Sequence, residues 1–342
     1  MVGGPAWRSL GLGLAAAGCA AGARRAEGVS APEVKSSWRI PLGDAPHYAE
    51  EIAWAPDSRR LAVGGVRNKR MSVWDVRSLR RLPAPGDQAG GVVGLAYSPD
   101  GRYLGVARGS TVPGEWSAVS IWDGQSGSLI QSLVEAPQEL DVSSVGSLAF
   151  GLDSRYLAVA YSPRSALYAS DGSKWARTAT IGPGAYRVAF SPDGTSVALF
   201  GISPHRILIC RVPTMEVLRN WPTVGGPGWG YPTLAYRPSG GQVAAGYGPD
   251  LGIFDPGDGE LLAQVTPDPP IWIRGLAYSP DGRILAASVG RTVRLLDSES
   301  WSLFSKLEPE SRGTLHDVAY SPDGTMLAAA AGPEVIVWEF SK

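Results

Sequence analysis

The sequence predicts an all-β fold, a seven-bladed β-propeller built from four-stranded antiparallel blades. Three observations predict it. An Ala-aromatic pair returns seven times, with the aromatic at Trp54, Tyr97, Phe150, Phe190, Tyr236, Tyr278 and Tyr320. A branched aliphatic stands seven residues after each one, at Leu61, Leu104, Leu157, Val197, Val243, Leu285 and Leu327. The last copy stops after its third strand, while a segment upstream of the first copy, Ser37–Leu42, reads as a fourth strand. Repeats of about 40–45 residues with these features have the size of a propeller blade.

The turns between the first two strands carry their own chemistry. Ser-Pro-Asp-Gly stands intact at 98–101, 191–194, 279–282 and 321–324, with degraded copies at 55–58, 151–154 and 237–240. Pro presets φ at the first corner, Asp bonds its own backbone, and Gly accepts the positive φ that closes the turn. The constant seven-residue offset then holds the first strand (a) and the second (b) in one register. Strand b is rich in small residues, as in Leu327-Ala328-Ala329-Ala330-Ala331, which lets neighbouring sheets approach closely. Third strands (c) include Met71–Trp74 and Val335–Trp338, and fourth strands (d) include Glu260–Val265 and Trp301–Leu307. The N-terminal strand is expected to pair with the C-terminal blade, closing the ring and removing the open edges that invite aggregation.

Composition bounds the function. The formal net charge is −1 over 342 residues, so nothing marks a nucleic-acid partner, whose binding requires several neutralised phosphates. Gly 44 and Pro 28 recur at spaced turns rather than in runs. The two cysteines, Cys19 and Cys210, make no disulfide framework, and Cys210 reads as a buried small hydrophobe in Ile207–Cys210. No apolar stretch after the N-terminus is long enough for a membrane span.

Residues 1–19 read as an export signal. Arg8 precedes a short apolar stretch, Leu10–Gly18, that leads through small residues into Cys19. The segment resembles the lipobox of bacterial lipoproteins, with Ala16 standing where that family usually has Leu; the resemblance implies lipidation of Cys19. Residues 20–35 read as a tether and 36–342 as the propeller. The expected location is the cell envelope; if 1–19 is no signal, it is the cytoplasm.

Strands c end in Trp74-Asp75, Trp122-Asp123, Phe254-Asp255, Leu296-Asp297 and Trp338-Glu339. With the Ser-Pro-Asp-Gly turns, these resemble WD-repeat propellers over roughly residues 38–342. Blade 3 (Leu167–Ser170) and blade 4 (Ile209–Arg211) lack the Trp-Asp signature. With only His47, His205 and His316, the family's Asp-His-Ser/Thr-Trp network cannot exist in most blades. The resemblance implies a rigid platform for a protein or peptide, seldom a catalyst; a monomer without a cofactor is expected.

No catalytic or metal constellation is readable. Ser126 in Gly124–Gly127 and the acidic group Asp255, Asp258 and Glu260 read as turns, and 225–230 as a loop without phosphate-binding features. The basic cluster Arg67, Lys69, Arg70, Arg77, Arg80 and Arg81 reads as a solvated face. Length variation gathers in the b–c loops and the d–a connections between blades. These open on one face, opposite the Pro-Asp turns, and loops over a rigid scaffold are where function concentrates. Trp116, Tyr186, Trp229, Tyr231, Trp272 and His316 are the candidate partner-binding residues there, each also able to cap the core at a blade junction. The rival reading is a small-ligand or enzymatic propeller with its site at the tunnel mouth, for which His47, His316, Asp141 and Asp317 are the candidates.

Overall fold

Each repeat aromatic pairs directly with the aliphatic seven residues on: Trp54 with Leu61, Tyr97 with Leu104, and so through Tyr320 with Leu327. The computed structural model that shows this describes residues 8–9, 32–42, 48–66, 71–86, 91–109, 118–133, 144–182, 184–201, 205–225, 232–310 and 313–341. Strands a to d run 51–54, 60–64, 72–75 and 80–82 in blade 1, and 91–97, 103–109, 118–123 and 129–132 in blade 2. Blade 3 has 144–150, 156–162, 165–170 and 175–181, and blade 4 has 185–190, 196–201, 206–211 and 217–222. Blade 5 has 232–236, 243–247, 250–254 and 261–266, and blade 6 has 273–278, 284–289, 292–297 and 303–307. A two-residue strand, Arg8–Ser9, adds to the outer edge of blade 5.

Blade 7 takes its strands a to c from 317–320, 326–330 and 334–340, and its fourth from the start of the chain, Val34–Pro41. The register sets Ser37 against Trp338 and Ile40 against Val335. The closing strand begins three residues before the expected Ser37 and ends at Pro41. It brings Ile40 and Leu42 into an apolar cluster with Ile52, Leu61, Val63, Ala328 and Val337, so the junction of blades 7 and 1 is a packed core like the others. The indole of Trp54 donates to the Ala319 carbonyl across the same junction at 3.0 Å.

The small residues of strand b are where the sheets meet. Ala328 to Ala331 are fully buried. A Cβ on Gly64 would stand 2.7 Å from Val92 of the next blade, closer than side chains approach. Cys210 is likewise buried, in strand c of blade 4.

The turn chemistry repeats atom for atom. In each intact turn the Ser hydroxyl donates to the Asp carboxylate (Ser98 to Asp100, Ser191 to Asp193, Ser279 to Asp281, Ser321 to Asp323, 2.5–2.6 Å). The same hydroxyl accepts the first amide of strand b. The fourth turn position is left-handed in all seven copies, from φ 54° at Ser58 to 83° at Gly240. Ser58 and Ser154 therefore hold a conformation that costs an L-residue roughly 1–2 kcal/mol. Each hydroxyl accepts an amide from the preceding blade's turn, Asp323 N–H at 3.0 Å and Asp100 N–H at 3.2 Å. Ser154→Ala keeps the backbone strain and loses the cross-blade bond, so it is expected to cost about 1 kcal/mol, read as a lower urea midpoint at unchanged m.

The Asp of the Trp-Asp pairs closes the c–d turn. Asp75 accepts the Ser78 amide, Asp123 the Ser126 amide and Asp297 the Ser300 amide, at 2.6–2.9 Å. Ser126 is thus a turn residue. Asp255 and Asp258 also spend a carboxylate oxygen on turn amides, those of Gly257 and Glu260. Among the described residues, no group of three or more His, Cys, Asp or Glu is placed to hold a metal ion.

Candidate functional site

Strand a is the innermost strand of every blade and runs from the loop face to its aromatic at the turn face. Positions counted back from the aromatic therefore form rings around the central tunnel. Three residues back stand Glu51, Gly94, Ser147, Arg187, Thr233, Gly275 and Asp317, all lining an inner chamber of about 170 Å³. Four residues back stand Glu50, Val93, Gly146, Tyr186, Pro232, Arg274 and His316, all lining an outer cup of about 240 Å³ toward the loop face. In blades 2, 3, 4 and 6 a β-bulge falls at this place, between Val92/Gly94, Val145/Ser147, Ala185/Arg187 and Ile273/Gly275. The bulge sets two residues against one partner and so re-aims a side chain at the site.

The inner ring carries an ion pair across the axis. Arg187 of blade 4 reaches Glu51 of blade 1, with both terminal guanidinium nitrogens 3.3 Å from Oε1. Its Nε donates to the Pro232 carbonyl at 3.3 Å. Asp317 accepts the Ile52 amide of blade 1 at 3.2 Å, as Ser147 accepts the Val188 amide of blade 4 at 3.0 Å, so ring residues also stitch neighbouring inner strands.

Burial dominates the protonation of this cluster. It lifts the Glu51 carboxyl to about 7 against the downward pull of Arg187, and the nearby Asp317 adds to the rise. Burial raises Asp317 as well, opposed by Arg187 and the amides of Ile52 and Val318. The field of Glu51 raises Arg187 in turn. Two carboxyls thus share one guanidinium and titrate as a pair.

In the outer ring Arg274 lies 3.2 Å from Nδ1 of His316. A guanidinium only donates, so a hydrogen bond here takes Nδ1 as its acceptor. The Tyr48 ring meets the His316 ring edge-on at 5.6 Å, and the amide of Val66 is held by Glu50. Beside the mouth, Tyr186, Phe200, His205 and Tyr247 form an aromatic group, the His205 and Tyr247 rings 4.2 Å apart.

Of the sequence candidates, Tyr186 and His316 come together in the cup, with Asp317 below them. Trp272 sits apart on the connection from blade 5 to blade 6, 40% exposed beside the exposed Ile271. Trp116, Trp229, Tyr231, His47, Asp141 and Cys19 lie outside the described residues, as do Arg67, Lys69 and Arg70. Arg77 pairs with Glu339 at 2.9 Å and lies over the Trp38 ring, while Arg80 and Arg81 are exposed.

The restriction of tunnel candidates to His47, His316, Asp141 and Asp317 needs correction: Glu51, Arg187 and Arg274 belong to the cluster. The signal was present as a fixed count back from the repeat aromatic, but a search for His and metal ligands passes over it. A wider groove of about 900 Å³ lies on the turn face between blades 4 and 5, bordered by Asp193, Arg211, Arg219 and Tyr236. Its charges are engaged locally, Arg211 with Glu216 and Arg219 with the Gly257 carbonyl.

A ring of seven four-stranded blades around a tunnel is a seven-bladed β-propeller, and its Trp-Asp turns resemble those of WD repeats. Residues 265–297 match the family model described as WD domain, G-beta repeat, and they lie within a seven-bladed β-propeller. The match begins in strand d of blade 5 and ends at Asp297 of blade 6. The sequence repeat thus straddles two blades, which is why the chain's start must supply the last strand. Of the family's Trp network, blades 1 and 2 keep a Ser-Trp bond, Trp74 to Ser72 at 2.8 Å and Trp122 to Ser120 at 2.7 Å. No curated protein matches the chain in sequence.

Proposed function

We propose that the chain is a non-catalytic scaffold that binds a protein or peptide on its loop face, at and around the tunnel mouth. The observation that carries this reading is the tunnel cluster itself. Its ionisable groups are engaged with one another and with backbone, as in the Arg187–Glu51 and Arg274–His316 pairs, rather than arranged as a nucleophile beside its base. A rigid ring with aromatic side chains around a shallow cup fits recognition. WD-repeat propellers commonly serve as protein-interaction scaffolds.

Export and lipidation of Cys19 complete the proposal. The closing strand is entered from the turn face, where the Ser341 amide donates to the Glu33 carbonyl at 2.8 Å. An anchor at Cys19 would then hold the turn face toward the membrane and present the loop face away from it. The protein is taken to act as a monomer.

Affinity capture from native membranes tests both parts. Tyr186→Ala and Trp272→Ala are each expected to weaken partner capture at least tenfold, given typical anchor energies of roughly 2 kcal/mol. Leu152→Ala, at an exposed leucine on the turn face, is expected to leave capture unchanged. Cys19→Ala is expected to release the protein from the membrane fraction. Capture insensitive to both loop-face substitutions would sink the scaffold reading.

The second reading is a small-molecule site in the same tunnel. The feature favouring it is Glu51, a carboxyl lifted to about 7 beside a cavity, the kind of perturbed group that gathers at functional sites.

A further inference from the structure

We propose that the tunnel mouth receives one basic side chain of the partner, an alkyl stem ending in a cation, whose stem lies along the cup and whose charge meets Glu51 and Asp317. This rests on the scaffold reading and names the chemistry of its anchor.

Three observations converge on a cation. The outer cup and the inner chamber are continuous, sharing Glu51, Arg187, Pro232 and Arg274. The cup walls include Val66, Val93, Val145 and the Tyr186 ring, which suit an aliphatic stem. The chamber beneath is polar, with Glu51 and Asp317 from the adjacent blades 1 and 7 lining it together with Arg187.

Charge decides the sign. Among the described residues, Glu50, Glu51 and Asp317 face two guanidinium groups, Arg187 and Arg274, and Arg274 lies against His316. With all three carboxyls ionised, one negative charge is in excess among these groups. Both Arg187 contacts land on Oε1 of Glu51, leaving its other oxygen for a further donor. Blades 2, 3 and 5 contribute nothing titratable to the two rings, only Gly94, Val93, Ser147, Gly146, Thr233 and Pro232. An anionic ligand would have to take Arg187 from Glu51 and enlarge the excess. A cation removes it. The rise of the Glu51 carboxyl to about 7 agrees, since burial there outweighs the single guanidinium. A second cation favours the ionised form, so binding should release protons.

The test is calorimetric titration of the purified full chain with n-butylammonium, with n-butanol and butyrate as neutral and anionic controls at equal ionic strength. Two buffers of different ionisation enthalpy count the protons. Butylammonium is expected to bind in the millimolar range, with proton release and with affinity rising roughly tenfold between pH 6 and pH 8 as Glu51 ionises. Glu51→Gln should weaken it at least tenfold and abolish the pH dependence. The proton count on the unaltered chain decides the matter even if that variant folds poorly. No binding, equal binding of butanol or butyrate, or proton uptake with affinity falling as pH rises would overturn the proposal. If butylammonium fails while Tyr186→Ala and Trp272→Ala still abolish capture, the scaffold stands and the cation site falls. If butylammonium binds while capture ignores both substitutions, the tunnel is a small-ligand site and the scaffold falls.

Discussion

A chain lacking residues 1–42 is expected not to fold to a soluble, cooperative state. The lost strand buries Ile40 and Leu42 in the blade 7–1 core, and the Trp38 indole donates to the Val76 carbonyl at 3.2 Å. Full burial of Ile40 and Leu42 contributes about 1.5–3 kcal/mol each, which with the half-buried Trp38 is a large share of the whole stability of a typical domain, about 5–15 kcal/mol. The deletion also strips the ladder from Glu334–Phe340. The residues it bares include the otherwise buried Val335 and Val337, on an edge that invites pairing with other chains. Soluble yield and urea unfolding check this. A soluble variant with an unchanged midpoint would show that the ring does not need its N-terminal strand.

Arg187→Gln is expected to cost about 3 kcal/mol at pH 8, because it leaves two buried carboxyls without their shared guanidinium. The residual exposure of the pair, 26% at Arg187 and 17% at Glu51, keeps the figure toward the low end of that class. The pH dependence has a definite sign. Glu51 and Asp317 titrate higher in the folded chain than in the unfolded one. The stability tied to their protonation is complete below the unfolded carboxyl range and is lost as pH rises through the folded value, about 7 for Glu51. The native chain should therefore lose stability from this cluster between about pH 5 and pH 8. Glu51→Gln should flatten that slope. Arg187→Gln should steepen it, since removing the cation raises both carboxyls further. Urea midpoints at pH 5.5 and pH 8 for the three proteins decide it, and parallel slopes would contradict the account.

The blade was legible in the sequence because its determinants are local. The seven-residue offset from aromatic to aliphatic is one turn plus two paired strand ends, and Ser, Pro, Asp and Gly specify that turn by bonds within five residues. Ring closure was legible from the ends, because Ser37–Leu42 looks like other fourth strands and strand c of blade 7 needs one. Ser58 and Ser154 read as degraded turn residues. They keep the left-handed geometry and add bonds to the neighbouring blade, which no single turn reveals. The tunnel cluster was the least legible part. Glu51, Arg187, Arg274 and Asp317 come from four blades and meet only because every strand a faces one axis. The scarcity of His drew attention to His316 and Asp317, while Glu51 and Arg187 look like ordinary polar residues at strand ends.

The claim that matters most is that the partner meets the loop face around the tunnel mouth. Amide hydrogen exchange of the captured complex against the free chain tests it directly. The account predicts slowed exchange in residues 48–51, 184–188 and 271–276, with the turns at 56–58, 98–101 and 152–154 unchanged. Protection confined to those turns, with the tunnel mouth unaffected, would contradict it.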